Sequence, residues 1–278
     1  MFRLALAIAA LITLAPIEAV ASSCYAFVQD LRRDMNVHYA RIQPVAARSV
    51  EITYVAHSAF RIETERGVTI VTDYFGTAGR DSEGTSIIPD VVTMNHAHIT
   101  HWDPSPDERI NYVLRGWDHD GKGPADYKLT VLDVVIRNVT TDIRGWNEPE
   151  KDGNSIFIFE VADLCIGHLG HLHHVPTEDQ FARIGRLDIV MAPVDGSLTL
   201  NLKDMIGIMK RLKARIVLPM HYWGAGTLQQ FLEGMKDDFQ IQILDSPTFT
   251  VSYDGLPGRP TIMVPTLDPT LDPNFGLD

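Results

Sequence analysis

The sequence predicts a layered α/β fold with β-sheets inside and helices outside, and three observations support this prediction. The chain has 278 residues, which is enough for a large hydrophobic core. Its first half is a series of short β-rich segments, and its second half alternates strands with amphipathic helices. Hydrophobic residues make up 45% and charged residues 22%, which is typical of globular proteins.

The first half is rich in β-branched and alternating segments. Residues 50–55 and 68–72 are β-branched, and the segment between them alternates around Phe60 and Ile62. Further strands are predicted at residues 90–94, 127–139 and 155–161, with loops at 117–126 and 145–153.

The second half alternates strands with helices. Thr177 and Gln180 match a capping box at a helix start. Five apolar side chains then share one helical face: Leu202, Met205, Ile206, Met209 and Leu212. A last helix is predicted at 227–236, and strands are predicted at 188–193, at 215–219, and near Gln240 and Phe249.

The N-terminus has the pattern of a secretory signal. Arg3 precedes an apolar run over residues 4–15, and Ala19-Val20-Ala21 is a small-residue cleavage site. The run is shorter than the roughly 20 residues of a membrane span, so an uncleaved anchor is the less favoured alternative. We expect a signal peptide at 1–21, an N-terminal extension at 22–49, a main domain at 50–265 and a tail at 266–278. The mature protein is expected in the periplasm or secreted, with no stable membrane association.

Charge and cysteine content limit the partners. The formal net charge of −12 counts against nucleic acid and favours a small-molecule substrate. Cys24 and Cys165 could pair in an oxidising compartment, or Cys165 could be a small buried residue of an apolar strand.

The main functional signal is a histidine cluster at residues 95–101, Asn-His-Ala-His-Ile-Thr-His, directly after a predicted strand. Histidines at alternate positions in a strand-end turn can aim two imidazoles at one point, and neutral imidazole is a common zinc ligand. The segment therefore predicts a metal site that includes His96, His98 and His101.

This segment resembles the H-x-H-x-D-H signature of the metallo-β-lactamase superfamily. Residues 55–60, Val-Ala-His-Ser-Ala-Phe, and the Thr72-Asp73 pair are similar to early landmarks of the branch related to ascorbate-6-phosphate lactonase. Residues 165–171, Cys-Ile-Gly-His-Leu-Gly-His, and 217–222, Val-Leu-Pro-Met-His-Tyr, resemble its later motifs. The resemblance implies an αββα four-layer sandwich with a metal site at one edge, for which His221 supplies the last histidine ligand.

Three departures from the family pattern set this site apart. Thr100 replaces the aspartate of the signature, and His171 replaces the bridging aspartate. The histidine expected shortly before Asn154 is absent, and Thr141 and Asp142 lie nearby instead. A conventional dinuclear centre is therefore not expected.

The predicted site holds one metal through His96 or His101, together with His98, His171 and His221. Zinc is the expected ion, one more readily than two, with iron or manganese as alternatives because imidazoles also suit those metals. A weak second site could use Asp142 or Asp195.

Several neighbouring residues have two interpretations. Asp195 and His171 are the predicted catalytic residues. Asp195 either orients a histidine or acts as a general base, and a turn-stabilising role is the alternative. His57 is expected to form hydrogen bonds at the cavity edge rather than to bind metal. Other nearby side chains are assigned to hydrogen bonding, to the surface or to the pocket lining: His168, His173, His174, Trp102, Tyr222 and Trp223.

The predicted reaction is hydrolysis of an ester, lactone, amide or phosphodiester by a metal-bound water. The alternative is a non-catalytic exported protein that binds a metal or ligand on the same fold. The two missing carboxylates favour the alternative, whereas a histidine at position 171 favours a working metal site.

Overall fold

Strands and helices make up most of the chain that the computed structural model describes, which is residues 22, 24–25, 48–75, 87–145 and 147–265. The strands are β1 (Ser49–Ala56), β2 (Ala59–Thr64), β3 (Thr69–Val71), β4 (Val91–Met94), β5 (Tyr112–Arg115), β6 (Lys128–Val131), β7 (Val134–Ile143), β8 (Glu150–Val161), β9 (Leu164–His168), β10 (Ile189–Pro193), β11 (Ile216–Met220), β12 (Gln240–Ile243), β13 (Thr248–Ser252) and β14 (Thr261–Val264). The helices are α1 (Glu178–Ile184), α2 (Leu202–Leu212) and α3 (Ala225–Met235).

The strands form two mixed sheets. The six-stranded sheet has the order β13-β1-β2-β3-β4-β5, and the eight-stranded sheet has the order β12-β14-β11-β10-β9-β8-β7-β6. Strands β3, β4 and β5 are parallel, as are β9, β10 and β11. The carboxyl ends of neighbouring parallel strands therefore lie at one edge of each sheet, where ligand sites of open α/β sheets form.

The core lies between the two sheets. Alternate residues of β1, among them Ile52 and Tyr54, pack in one cluster with Phe157 and Phe159 of β8. Because successive side chains of a strand point to opposite faces, the intervening residues of β8, Ile156 and Ile158, belong to the second cluster outside the eight-stranded sheet.

The helices cover the outer face of the eight-stranded sheet. Phe181 of α1, Met205 and Met209 of α2, and Phe231 of α3 are buried against it. The predicted capping box is confirmed, since Thr177 Oγ1 accepts from Gln180 N–H and the Gln180 side chain accepts from Thr177 N–H. No helix in the described ranges is long and apolar enough to cross a membrane.

The predicted sandwich of two sheets is confirmed, and helices cover the outer face of the eight-stranded sheet as predicted. The outer face of the six-stranded sheet packs against loop side chains such as Trp102 and Trp117. Within the described ranges no helix covers that face.

Three local predictions need correction. The segment 127–139 is two strands, because the chain turns at Leu132, whose φ is 49°. Strand β8 begins at Glu150, inside the predicted loop 145–153, because residue 150 pairs with Ile143 of β7. Strand β5 was not predicted, since its four residues alternate only weakly.

The two cysteines form a disulfide that joins residues 141 positions apart. This resolves the open alternative for Cys165, which is both buried and paired with Cys24. The predicted signal peptide at 1–21 and the tail at 266–278 lie outside the described residues, as does most of the extension at 22–49.

Candidate metal centre

The candidate site lies where strands of both sheets end. His57 follows β1, Asp73 follows β3 by two residues, and residues 95–101 follow β4. From the other sheet, His171 follows β9 closely and His221 follows β11 directly. The backbone N–H of His221 donates to the carbonyl of His57 at 2.8 Å, which ties the two sheets together beside the site.

Three imidazoles converge at its centre. His101 Nε2 lies 2.8 Å from His171 Nδ1 and 3.2 Å from His221 Nε2. All three side chains are buried. Nitrogen atoms bound to one zinc at about 2.0–2.1 Å lie roughly 3.3 Å apart, so this spacing suits a shared ion.

Buried carboxylates lie against the Nδ1 atoms of two of these imidazoles. His101 Nδ1 donates to Asp73 Oδ2 at 2.6 Å, and His221 Nδ1 lies 3.1 Å from Asp195 Oδ1. With Nδ1 directed at the carboxylate, Nε2 of each ring carries the free lone pair and faces the cluster. A carboxylate behind a histidine in this way fixes the tautomer and strengthens metal binding.

His57 is the site residue that the sequence prediction underrated. His57, His101 and His221 offer ring nitrogens that all lie within 4.8 Å of one another, and all three are buried. The His57 and His221 ring centroids are 4.0 Å apart. The signal in the sequence was its place at a strand end, but its approach to the cluster depends on a left-handed turn with φ of 51°.

His96 and His98 lie beside His171, with ring centroids 5.3 Å and 5.9 Å from the His171 ring. His96 is buried and its Nδ1 donates to the Gly153 carbonyl at 2.7 Å. His98 is exposed, and its Nδ1 lies 3.0 Å from Thr100 Oγ1. All five predicted histidine ligands are therefore brought to one place, and the tightest contacts belong to His101, His171 and His221.

Two nearby histidines form hydrogen bonds with backbone groups around the site. His168 Nε2 donates to the Ser58 carbonyl at 2.7 Å, and its Nδ1 accepts from Gly170 N–H at 3.2 Å. His173 Nδ1 accepts from the Arg144 backbone N–H at 2.9 Å. These contacts agree with the hydrogen-bonding roles expected for residues beside the ligands.

Asp195 accepts hydrogen bonds on both carboxylate oxygens. Oδ2 accepts from the backbone N–H groups of residues 197, 198 and 199, and Oδ1 from the Thr199 hydroxyl. Burial would raise the pKa of Asp195, but the hydrogen bonds from His221 and Thr199 outweigh burial and hold this pKa below its usual range. These contacts favour the orienting and turn-stabilising interpretations over a general base.

Asp142, the other residue considered for a weak second site, accepts from the Asp152 backbone N–H through Oδ1. Among the described residues, the histidine trio 57, 101 and 221 is the group whose ligand atoms all come this close together, and it includes neither aspartate.

Three of the imidazoles, those of His57, His101 and His171, are held in the neutral form that a metal needs. Burial, followed by the nearby His221 and His101, lowers the pKa of His57 to about 2. Burial and neighbouring imidazoles also lower the pKa of His101 and of His171 well below the usual range. Neutral, converging and buried nitrogen donors fit a divalent metal such as zinc.

The aromatic residues expected to line the pocket divide into two groups. Trp223 is 56% exposed, with its ring centroid 5.2 Å from that of His57. Trp102 packs edge-on against Trp117 outside the six-stranded sheet, and Tyr222 is partly buried against the core cluster outside the eight-stranded sheet. Of these three residues, Trp223 is the one whose ring contacts a histidine of the site.

Comparison with known proteins decides the family. Residues 51–221, more than half of the chain, match the family model described as β-lactamase superfamily domain. The chain belongs to this superfamily. Every histidine of the cluster, from His57 to His221, lies within the matched range.

Curated relatives and solved structures of this superfamily cover most of the chain. A UPF0173 metal-dependent hydrolase of Salinibacter ruber is 25% identical over 72% of this chain and 96% of its own length. A UPF0173 metal-dependent hydrolase of Methanosarcina barkeri is 24% identical over 70% and 92%. A Thermotoga maritima structure, a candidate Zn-dependent hydrolase of the metallo-β-lactamase superfamily, is 26% identical and covers 79% of this chain and all of its own, with a TM-score of 0.57.

Proposed function

We propose that this superfamily member is an exported metal-dependent hydrolase that acts on an ester, lactone, amide or phosphodiester. The observation that carries the proposal is the convergence of His57, His101 and His221, whose nitrogens lie within 4.8 Å of one another. The names of the relatives as metal-dependent hydrolases support it.

In this proposal His101 and His221 are the principal ligands, and His57 and His171 supply the adjacent nitrogens. Zinc is the proposed ion, because it takes tetrahedral sites built from imidazoles. A metal held there would act as a Lewis acid and make a coordinated water more acidic. Asp73 and Asp195 hold the two principal imidazoles in position, and no carboxylate of the chain is required as a ligand.

Metal content of the mature protein, measured by plasma mass spectrometry, tests the site. We expect about one zinc per chain, lost in His101→Ala and in His221→Ala. His119→Ala is the matched control, because His119 is exposed in the loop at 117–126 and should leave the metal content unchanged. Absence of metal in the reconstituted wild type would overturn the proposal.

Turnover decides between an enzyme and a binding protein. Zinc-loaded protein should hydrolyse at least one of 4-nitrophenyl acetate, a model lactone and bis(4-nitrophenyl) phosphate, and His101→Ala should abolish this activity. Stoichiometric zinc without turnover of any of the three would favour the binding protein, which the replacement of a signature aspartate by Thr100 would then explain.

The disulfide supports the export part of the proposal, because disulfides persist in oxidising compartments. Expression with the natural N-terminus should yield a periplasmic or secreted protein that begins at Ser22. The intact mass measures both the cleavage site and the oxidation state. A cytoplasmic product that keeps residues 1–21 would contradict export.

A further inference from the structure

Three exposed apolar side chains lie in the strand-end segments that carry residues of the site. Ile99, Leu198 and Trp223 are 78%, 55% and 56% exposed, and we refer to these three residues as the apolar rim. Each belongs to a different segment that follows a strand end, after β4, β10 and β11 respectively. Single exposed apolar residues are common, but several around one site mark a binding surface.

Each rim residue is held close to a residue of the site. Ile99 lies inside the turn in which His101 N–H donates to the His98 carbonyl at 2.7 Å. Leu198 N–H donates to Asp195, which in turn holds His221. The Trp223 ring lies 5.2 Å from the His57 ring. Each rim residue therefore lies within three residues of a site histidine or of Asp195 along the chain.

Four described segments that carry site residues, 95–103, 168–177, 194–201 and 220–226, contain neither Lys nor Arg. The nearby Arg144 already donates to the carbonyls of residues 197, 198 and 199. Proteins that recognise phosphate groups use Arg or Lys, so this composition favours an uncharged substrate.

We propose that the apolar rim binds the hydrocarbon chain of the substrate, which is an uncharged acyl compound such as a medium-chain ester, lactone or amide. This inference rests on the proposed hydrolase function and specifies its substrate class. The carbonyl group lies at the histidine cluster, while the acyl chain packs against Trp223 and Ile99. Leu198 contacts the chain from the Asp195 side.

A chain-length series tests the proposal. We measure zinc-loaded protein with 4-nitrophenyl esters from acetate to octanoate. Full burial of one methylene should raise kcat/KM roughly fourfold, and partial burial that gains half of this free energy should raise it about twofold per methylene. Trp223→Ala and Ile99→Ser should flatten this dependence. Equal rates along the series would overturn the proposal.

Leu132→Ser provides the matched control. Leu132 is 60% exposed, but it lies before β7, which starts at the sheet edge opposite to the end of β9. This variant should keep the full chain-length dependence. A slope reduced as much by Leu132→Ser as by Trp223→Ala would show a general surface effect and overturn the proposal.

A binding measurement separates this proposal from the hydrolase proposal. Octanamide should bind at least tenfold more tightly than acetamide by calorimetry, and Trp223→Ala should remove the difference. Preferential octanamide binding without turnover would support the rim and overturn the hydrolase. Turnover of bis(4-nitrophenyl) phosphate, with no preference among esters or amides, would support a hydrolase and overturn the rim.

Discussion

Asp73 is the residue on which the orientation of His101 depends most directly. Its Oδ2 accepts from His101 Nδ1 at 2.6 Å, and its Oδ1 accepts from the Asn95 backbone N–H at 3.0 Å. Burial raises the pKa of Asp73, while the nearby His168 and the Asn95 N–H oppose this effect. A buried carboxylate with these two partners aligns the His101 ring with the strand end that carries the cluster.

Replacement of Asp73 by Asn should weaken zinc binding 10- to 100-fold, because the amide no longer fixes the tautomer of His101 as a carboxylate does. Competition with a chromophoric chelator measures the affinity. Asp107→Asn, at a partly exposed aspartate paired with Arg109, is the control and should bind zinc as the wild type does. Equal affinity in the two variants would mean that His101 needs no support from Asp73.

At the residue scale the sequence predicted that five histidines lie near one another, but it did not place His57 among them. Residues 96, 98 and 101 share one turn, and the motifs around His171 and His221 pointed to the same place. The proximity of His57 was harder to predict, because it depends on a turn between β1 and β2 and on the hydrogen bond to the His221 backbone. The second acceptor role of Asp195, toward the Thr199 hydroxyl, likewise needs coordinates.

At the scale of elements, the turn after β9 tolerates only glycine at position 170. Gly170 has a φ of 63°, and an added Cβ would lie 2.4 Å from the Asn154 side chain and 2.4 Å from that of Asn95. Asn154 Oδ1 accepts from His171 N–H at 2.8 Å, so this close packing positions His171.

Gly170→Ala should destabilise the protein by at least ~2 kcal/mol, because it combines unfavourable backbone strain with a clash against buried side chains. Urea unfolding monitored by circular dichroism measures the change. Gly121→Ala is a useful comparison, since Gly121 has a φ of 73° with no atom near the added Cβ. A similar loss in both variants would show that the backbone alone accounts for the effect.

The disulfide is an element-scale constraint on β9. Cys24 lies at the start of the described chain, and its carbonyl accepts from Arg186 N–H at 2.7 Å. Closing a loop of 141 residues restricts the unfolded chain, so Cys24→Ser with Cys165→Ser should lower the free energy of unfolding by about 2–5 kcal/mol. Thermal unfolding with and without reductant measures this, and reductant should leave the double variant unaffected. An unchanged wild-type transition in reductant would contradict the prediction.

Elements with strong periodicity were predicted well. The capping box and the apolar face of α2 are confirmed, because local hydrogen bonds and a regular repeat determine them. The start of β8 could not be predicted, since Glu150, Lys151 and Asp152 are polar and become strand only through pairing with β7.

The whole molecule concentrates buried imidazoles in one region, and this makes the metal-free protein sensitive to acid. Burial lowers the pKa of His96, His101, His168 and His171, and it lowers the pKa of His57 to about 2 and of His173 to about 4. In the unfolded chain each histidine titrates near 6.5. The unfolded state therefore binds more protons below about pH 6.5, and acid favours unfolding.

The melting temperature of the metal-free protein should thus be constant above about pH 7 and should fall steadily from pH 6.5 toward pH 4. Differential scanning calorimetry across this range measures the slope. His173→Asn should make the decline shallower, whereas the exposed His119→Ala should not. A melting temperature independent of pH between 7 and 5 would show that the unfolded state gains no extra protons.

The pairing of β1 with β13 has a consequence for the order of events in folding. Ser49 lies opposite Ser252, so the first strand of the six-stranded sheet finds its outer neighbour only after almost the whole chain is available. Contacts this distant along the chain slow folding, because closing a long loop costs conformational entropy before the contacts that offset this cost have formed. A nascent chain that stops short of residue 248 would expose one side of β1 to solvent and to other chains. Completion of the sheet is therefore a late event, and truncation before β13 should yield aggregates rather than a smaller folded protein.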